Sequence, residues 1–239
     1  MARRLSVILI LISTSHIGNS QILISLIFGD KLNSDKIEFG LDGGYNLSKM
    51  SGFSSGKPLG RLYIGFYFDF LMKGQWYFNT GVLVKSDVGL DGLKEEDVTF
   101  FDPTTVYSDS GTYSQRINYF HVPAAVKYKF KNHIYVRLGP QFALRYKGSL
   151  RFDGEQNNKT VQINTDNREL FERLEVSAIA GVGYKLRKGE GMNIGVKYMQ
   201  GLTDILRDDA RSSKNSSFYF YVGIPIGKDK AAEKRSENE

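Results

Sequence analysis

The chain has 239 residues, 41% of them hydrophobic, with 25 Gly, 14 Tyr, 16 Phe and 5 Pro, which suits one domain of many short strands better than long helices. Its formal net charge is +6, yet the basic residues are scattered and form no Lys/Arg run of the kind that binds nucleic acid. Cys is absent, which excludes disulfides, Cys-ligated zinc, thiol catalysis and acylation as a lipoprotein.

Residues 1–20 read as a secretory signal peptide. Arg3 and Arg4 form its basic start, Leu5 to Ile12 its apolar stretch, and Gly18, Asn19 and Ser20 its small-residue end, which places the mature N-terminus at Gln21. The apolar stretch is interrupted by Ser13, Thr14, Ser15 and His16, well short of the ~20 residues a spanning helix needs. Residues 21–35 follow as an N-terminal segment, within which Ile22 to Phe28 suits a short strand, a helical turn or an extension of the signal.

From Lys36 onward apolar and polar residues alternate, and the two-residue side-chain period of a strand separates them onto two faces. The first predicted strand sets Ile37, Phe39, Leu41 and Tyr45 against Glu38, Gly40, Asp42 and Asn46. The second sets Leu62, Ile64, Phe66, Phe68 and Phe70 against Arg61, Tyr63, Gly65, Tyr67 and Asp69; the third sets Trp76, Phe78, Val82 and Val84 against Tyr77, Asn79, Leu83 and Lys85. Phe120, Val122, Val126 and Tyr128 then oppose His121, Pro123, Lys127 and Lys129, and Ile134, Val136, Leu138, Phe142 and Leu144 oppose Tyr135, Arg137, Gln141 and Arg145. The last three strands place Leu174, Val176, Val182 and Tyr184 against Glu175, Ser177 and Lys185; Met192, Ile194, Val196 and Tyr198 against Asn193, Lys197 and Met199; and Phe218, Phe220, Val222 and Ile224 against Tyr219, Tyr221 and Gly223.

The connections alternate as well. Tight turns are expected at Met72-Lys73-Gly74-Gln75, Lys131-Asn132 and Arg187-Lys188-Gly189-Glu190. Long polar loops are expected after the odd strands, the largest over residues 86–115 and 147–172. An even set of eight strands, with short turns at one end and long loops at the other, is the arrangement of an up-and-down transmembrane β-barrel, its turns periplasmic and its loops extracellular. On this reading residues 36–227 form the barrel and residues 228–239 a charged tail.

A soluble, lipocalin-like ligand carrier would show the same alternation with the faces exchanged. Side-chain bulk separates the two. An eight-stranded barrel has an interior just wide enough for side chains, so rows of Phe belong outside and Gly, Asn and paired charges inside. Trp76, Phe78, Tyr128, Phe130 and Tyr184 fall near the turn ends, as a periplasmic aromatic girdle requires. Pro123 and Pro140 interrupt non-edge strands, so each implies a bulge or a lost ladder bond.

The segments LISLIFGDKLN (residues 23–33), IEFGLDGGYNL (37–47), VPAAVKY (122–128) and GVKYMQGLTDI (195–205) resemble the PorT-like outer-membrane β-barrel proteins of Bacteroidota. The resemblance implies an outer-membrane barrel of about eight strands; the family's name-giving member is linked to secretion of surface proteases. The chain departs from many such barrels at its C-terminus, where the last strand is followed by a charged tail rather than ending on an aromatic residue.

No HExxH, GxSxG, Walker-type or dinucleotide motif occurs. His121 with Ser114 is the nearest approach to a nucleophile and base, and an ordinary polar-row His is the better reading. Asp87, Asp91, Asp97 and Asp102 could offer hard oxygen ligands to calcium but lack EF-hand spacing, so a solvated acidic loop is expected. No catalytic, cofactor-binding or metal-ligating residue is assigned, and no cofactor is expected. Inside the barrel, Arg61, Tyr67, Lys127, Arg137, Arg145 and Glu175 are expected to interlock and plug the lumen, and Gly65→Ser on this inner row is expected to be milder than Phe66→Arg on the outer one. The expectation is a non-enzymatic protein of the bacterial cell outer membrane. Its loops would bind a surface partner or stabilise the envelope, and its partners would be the lipid bilayer, the barrel-assembly machinery and that surface partner or, alternatively, a protein-secretion system.

Overall fold

Nine strands and a short helix follow one another in chain order: β1 (Ile37–Met50), β2 (Lys57–Lys73), β3 (Trp76–Leu93), α1 (Glu95–Phe101), β4 (Gly111–Lys129), β5 (Ile134–Gln156), β6 (Lys159–Asp166), β7 (Leu174–Lys185), β8 (Asn193–Gly201) and β9 (Asn215–Pro225). They come from a computed structural model that describes residues 34, 36–105, 107–108, 110–156, 159–189, 191–207 and 211–226. The expected signal peptide with its cleavage point at Gln21, the segment up to residue 33, and the charged tail lie outside the described residues.

Eight of the strands close into a ring in the order β1-β2-β3-β4-β5-β7-β8-β9, with β9 pairing back onto β1. Every neighbouring pair is antiparallel. Closure removes the free edges an open sheet would leave in lipid. The ninth strand, β6, pairs only with the upper part of β5 and stands outside the ring.

The tight turns fall where the sequence places them. Gly74 at φ 60° closes β2–β3, His133 at φ 68° closes β4–β5, and Arg187 and Lys188, at φ 49° and 53°, close β7–β8. Two successive residues of positive φ give a turn whose twist matches that of the flanking strands.

Over the turn-end half of the barrel the apolar rows point outward. Leu62 and Leu138 are 70% and 66% exposed, whereas Asn46, His121 and Gln141 on the opposite rows are fully buried. Trp76, Tyr128 and Phe130 form a continuous outward cluster near the turns, with ring centroids 4.7 and 4.9 Å apart.

Above this belt the sense of the alternation inverts. On β4, Phe120, Val122 and Val126 face outward, but Ile117 and Tyr113 are buried inside, and the polar Arg116 and Asn118 take the outer face. The upper part of the barrel is thus built like a soluble protein, apolar within and polar without.

Two bulges carry β3 and β5 across the same boundary. The register with β4 slips by one residue between Leu83 and Ser86, and again between Asn118 and Tyr119, where Tyr146 is the extra residue on β5. A bulge shifts the inward row by one position. Lys85, expected in the lumen, is therefore exposed, and Ser86 takes its place inside. Tyr146 is pushed outward, its ring 4.6 Å from that of Phe120.

The two long loops expected over residues 86–115 and 147–172 are largely sheet. β3, β4 and β5 run on to 18, 19 and 23 residues, and the strand β6 and the helix α1 lie within the spans expected to be loop. A tilted transmembrane strand needs only about 9–11 residues, so these three project well beyond the belt. The prolines produce a gap without a bulge. Pro123 pairs with Gln141 and Val126 with Leu138 in one unbroken register, but at the two positions between, β4 and β5 do not pair with each other.

Candidate functional site: sealed lumen and crown

Among the described residues, the buried charges of the lumen are balanced: Glu38, Asp42, Asp69 and Glu175 against Lys127, Arg137, Lys185 and Lys197. The Lys127 ammonium lies 2.6 Å from the Asp69 carboxylate, and Lys185 pairs with Glu38 across the barrel. Tyr67 donates to Glu38 at 3.0 Å and accepts from Asn193 at 2.9 Å; Tyr63 donates to Asp42 at 3.2 Å. Arg137 donates to Asn79 at 3.3 Å, and Asn79 donates to Asp69 at 2.7 Å. Glu175 has no ion-pair partner among the described residues and is held by Asn215, which donates to it at 2.8 Å. Arg61 and Arg145, expected in this network, are only half-buried, and each bonds a backbone carbonyl: Gly60 and Glu172.

Tyrosine rings complete the plug: beside the expected Tyr67 stand Tyr135, Tyr219 and Tyr221, all buried. Lys127 lies 3.9 Å from the ring centroid of Tyr135, Arg137 4.3 Å from Tyr221, and Lys197 4.2 Å from Tyr219. A cation over an aromatic face keeps part of the stabilisation it loses on leaving water. Room for the rings comes from inward glycines. A Cβ on Gly183 would come within 2.6 Å of the Tyr135 and Tyr221 hydroxyls, and one on Gly40 within 2.6 Å of the Tyr67 ring. Tyr recurring in the polar rows opposite Gly was the available sequence signal.

The space left between Asp42, Arg137 and their neighbours is about 10 Å³. That is at the threshold for holding one water molecule, so little free space remains beside these charges. Gly65 belongs to the same tight packing: a Cβ there would approach Leu83 Cα to 2.7 Å, so a side chain at this position requires the β2–β3 pair to shift.

Above the lumen the inverted alternation builds a crown with its own core. Val88 and Leu90 of β3, Val98 and Phe101 of α1, Ile117 of β4, Leu150 of β5, Phe171 and Ile205 are all buried in one cluster. Asp97 pins α1 to this cap. Fully buried, it accepts from the Ser55 backbone N–H at 2.8 Å and hydroxyl at 2.5 Å, and from Arg211 at 3.4 Å. Asp102 terminates the helix, accepting from Thr104 Oγ1 at 2.7 Å and Thr105 Oγ1 at 2.6 Å. The Thr105 and Thr104 hydroxyls hold its carboxyl below the ordinary carboxylate range. Asp87 accepts from Asn118. The solvated acidic loop expected here is instead structured, with Asp97 and Asp102 holding α1 and Asp87 bonding Asn118 on the outer face, and among the described residues no three His or carboxylate side chains gather as a metal site.

His121 and Ser114 are not partners. They lie seven residues apart on one strand, ~23 Å at the rise of an extended chain, and on opposite faces. Gln141 holds the buried His121 ring at 2.8 Å, and Arg116 donates to Ser114 at 3.2 Å.

The crown's open feature is a cleft of about 330 Å³ between the inner face of β6 (Val161, Ile163, Thr165), Leu150 and Phe152 of β5, Tyr113 of β4, and the chain at Thr105, Ser108 and Ser110.

Residues 28–207 match the family described as outer membrane protein beta-barrel domain. The chain belongs to that family. Its ring of outward apolar rows is thus a barrel of the bacterial outer membrane, embedded in lipid, with short turns in the periplasm and the crown outside the cell. The soluble carrier reading is overturned by the same outward rows. Among solved structures, the chain is similar to Ail of Yersinia pestis (12% identity, 80% of this chain and 99% of that one, TM-score 0.42), captured with the heparin analogue sucrose octasulfate. It is also similar to OprG of Pseudomonas aeruginosa (12% identity, 80% and 93%, TM-score 0.37) and to Neisserial surface protein A (8% identity, 79% and 96%, TM-score 0.38). A search of curated proteins gives no match.

Proposed function

We propose that this barrel is a non-enzymatic surface protein whose extracellular crown binds a partner. The observation that carries the reading is the division of the molecule. The lumen is filled by two buried ion pairs, further hydrogen-bonded charges and tyrosine rings, while the crown has its own apolar core and presents an open cleft. A rigid scaffold positioning loops and edges toward solvent is the usual way proteins hold binding residues. Export by residues 1–20 and insertion by the barrel-assembly machinery belong to the same reading. The PorT-like segments support a second one, in which the barrel is an accessory of a protein-secretion system.

The test is an array of purified extracellular proteins and glycans, probed with the barrel in lipid nanodiscs. The intact protein should bind at least one member, and a form with residues 95–110 and 149–166 replaced by short turns should bind none while keeping its heat-modifiable migration. Equal binding by both forms contradicts the crown reading. Loss of surface-protein secretion in a deletion strain, restored in full by the trimmed form, would favour the secretion reading.

A further inference from the structure

We propose that β6 is a docking edge for an extended peptide segment of a partner protein, which adds to the crown sheet as one more antiparallel strand. The inference rests on the crown being a binding surface and names the class of partner.

One side of β6 is fully used. Eight consecutive pairings, from Ser149↔Asp166 to Gln156↔Lys159, join it to β5 without a register shift. The other side is open: among the described residues, no backbone group of β6 hydrogen-bonds to anything but β5. In an antiparallel strand alternate residues direct their N–H and C=O groups to opposite sides, so about half of β6 offers a repeating lattice of donors and acceptors to solvent. The devices that normally blunt such an edge are missing along its length. The strand has no Pro and no bulge, and its one Lys stands at the end, at Lys159.

Only an extended backbone matches this lattice. Side chains on one face of an added strand would lie beside Val161, Ile163 and Thr165, over the cleft that these residues line. Ile163 is 53% exposed although it lines the cleft, so the apolar floor is open above the strand. The cleft's volume of about 330 Å³ leaves room for apolar side chains at alternate positions. Exposed Lys159 lies opposite the C-terminal end of an antiparallel partner and favours an acidic residue there.

A second copy of this chain fits poorly. Copies in one membrane share one orientation, so their β6 strands would run in the same sense, with Lys159 beside Lys159 and Asp166 beside Asp166. Like charges side by side on paired strands are destabilising.

Panning a phage-displayed library of random ten-residue peptides against the full chain in nanodiscs tests the proposal. Enriched peptides should alternate apolar residues, lack central Pro and carry an acidic residue near the C-terminal end. Synthetic copies should lose about tenfold or more in affinity when the amides of one alternate set are N-methylated, and little when the other set is. Ile163→Lys should cause a similar loss, whereas Asn164→Ala should not, both variants keeping heat-modifiable migration. Peptides that tolerate both methylation sets and Ile163→Lys, yet fail on the crown-trimmed protein, would overturn the edge assignment and leave the crown reading standing. No crown-dependent enrichment at all would overturn both. A concentration-dependent dimer abolished by Ile163→Lys would put a second copy on the edge and likewise overturn the proposal.

Discussion

The Lys127 ammonium on β4 lies 2.6 Å from Oδ2 of Asp69 on β2, inside a barrel whose outer rows face lipid. Removing one partner of such a buried pair leaves an uncompensated charge. Asp69→Ala should therefore destabilise the barrel by about 3–5 kcal/mol, and Lys127→Met in the same chain should recover most of that loss. Urea unfolding in lipid vesicles, followed by Trp76 fluorescence, measures both. Equal stability of the single and double variants would show that the pair is not coupled.

The rows that carry this pair were legible in the sequence because the belt obeys one rule, apolar outward and polar inward, for as long as lipid surrounds it. The crown was not. On β3 and β5 the bulges at Lys85 and Tyr146 shift the inward row by one residue, so a period-two reading runs out where the strand continues. On β4 the phase holds but the polarity inverts between Tyr119 and Phe120, because water replaces lipid as the outer medium. β6 escaped notice because its outer face is polar and its inner face carries only Val161, Ile163 and Thr165. The Asp97 clamp joins residues more than a hundred positions apart, and its residues look like ordinary loop polarity.

The lipid face predicts a substitution pair. Phe66→Arg should cost about 2–4 kcal/mol if that site lies near the midplane, whereas Phe66→Leu should assemble nearly as the parent. The yield of heat-modifiable barrel in vesicles reports both. Comparable yields for Arg and Leu would place this row away from lipid.

The crown predicts a local effect without global unfolding. Asp97→Ala leaves the Ser55 N–H and Arg211 without their acceptor, at a cost of about 1.5–3 kcal/mol for hydrogen bonds to a charged group. Limited proteolysis should then cut between residues 95 and 110 while the barrel keeps its migration. Unchanged resistance would mean that the apolar core alone holds α1.

Asp102 gives the crown a pH dependence of known sign. Thr105 and Thr104 lower its carboxyl in the folded chain, so its contribution is present above the ordinary carboxylate value of about 3.9 and is lost as pH falls through the lowered folded value. Hydrogen exchange of the amides at Thr104 and Thr105 should show protection that is level from pH 7 to about 4 and falls below it. Asp102→Asn should abolish that fall. A transition near neutral pH would point to another group.

The most direct measurement of the central claim, a barrel sealed within the membrane with its working surface outside it, is single-channel recording in planar bilayers. With the space around Asp42 and Arg137 reduced to about 10 Å³, the purified protein should give no stable, reproducible conductance steps, with or without the crown. Regular, ion-selective steps from the intact protein would contradict the sealed lumen and move the working part of the molecule from the crown to the pore.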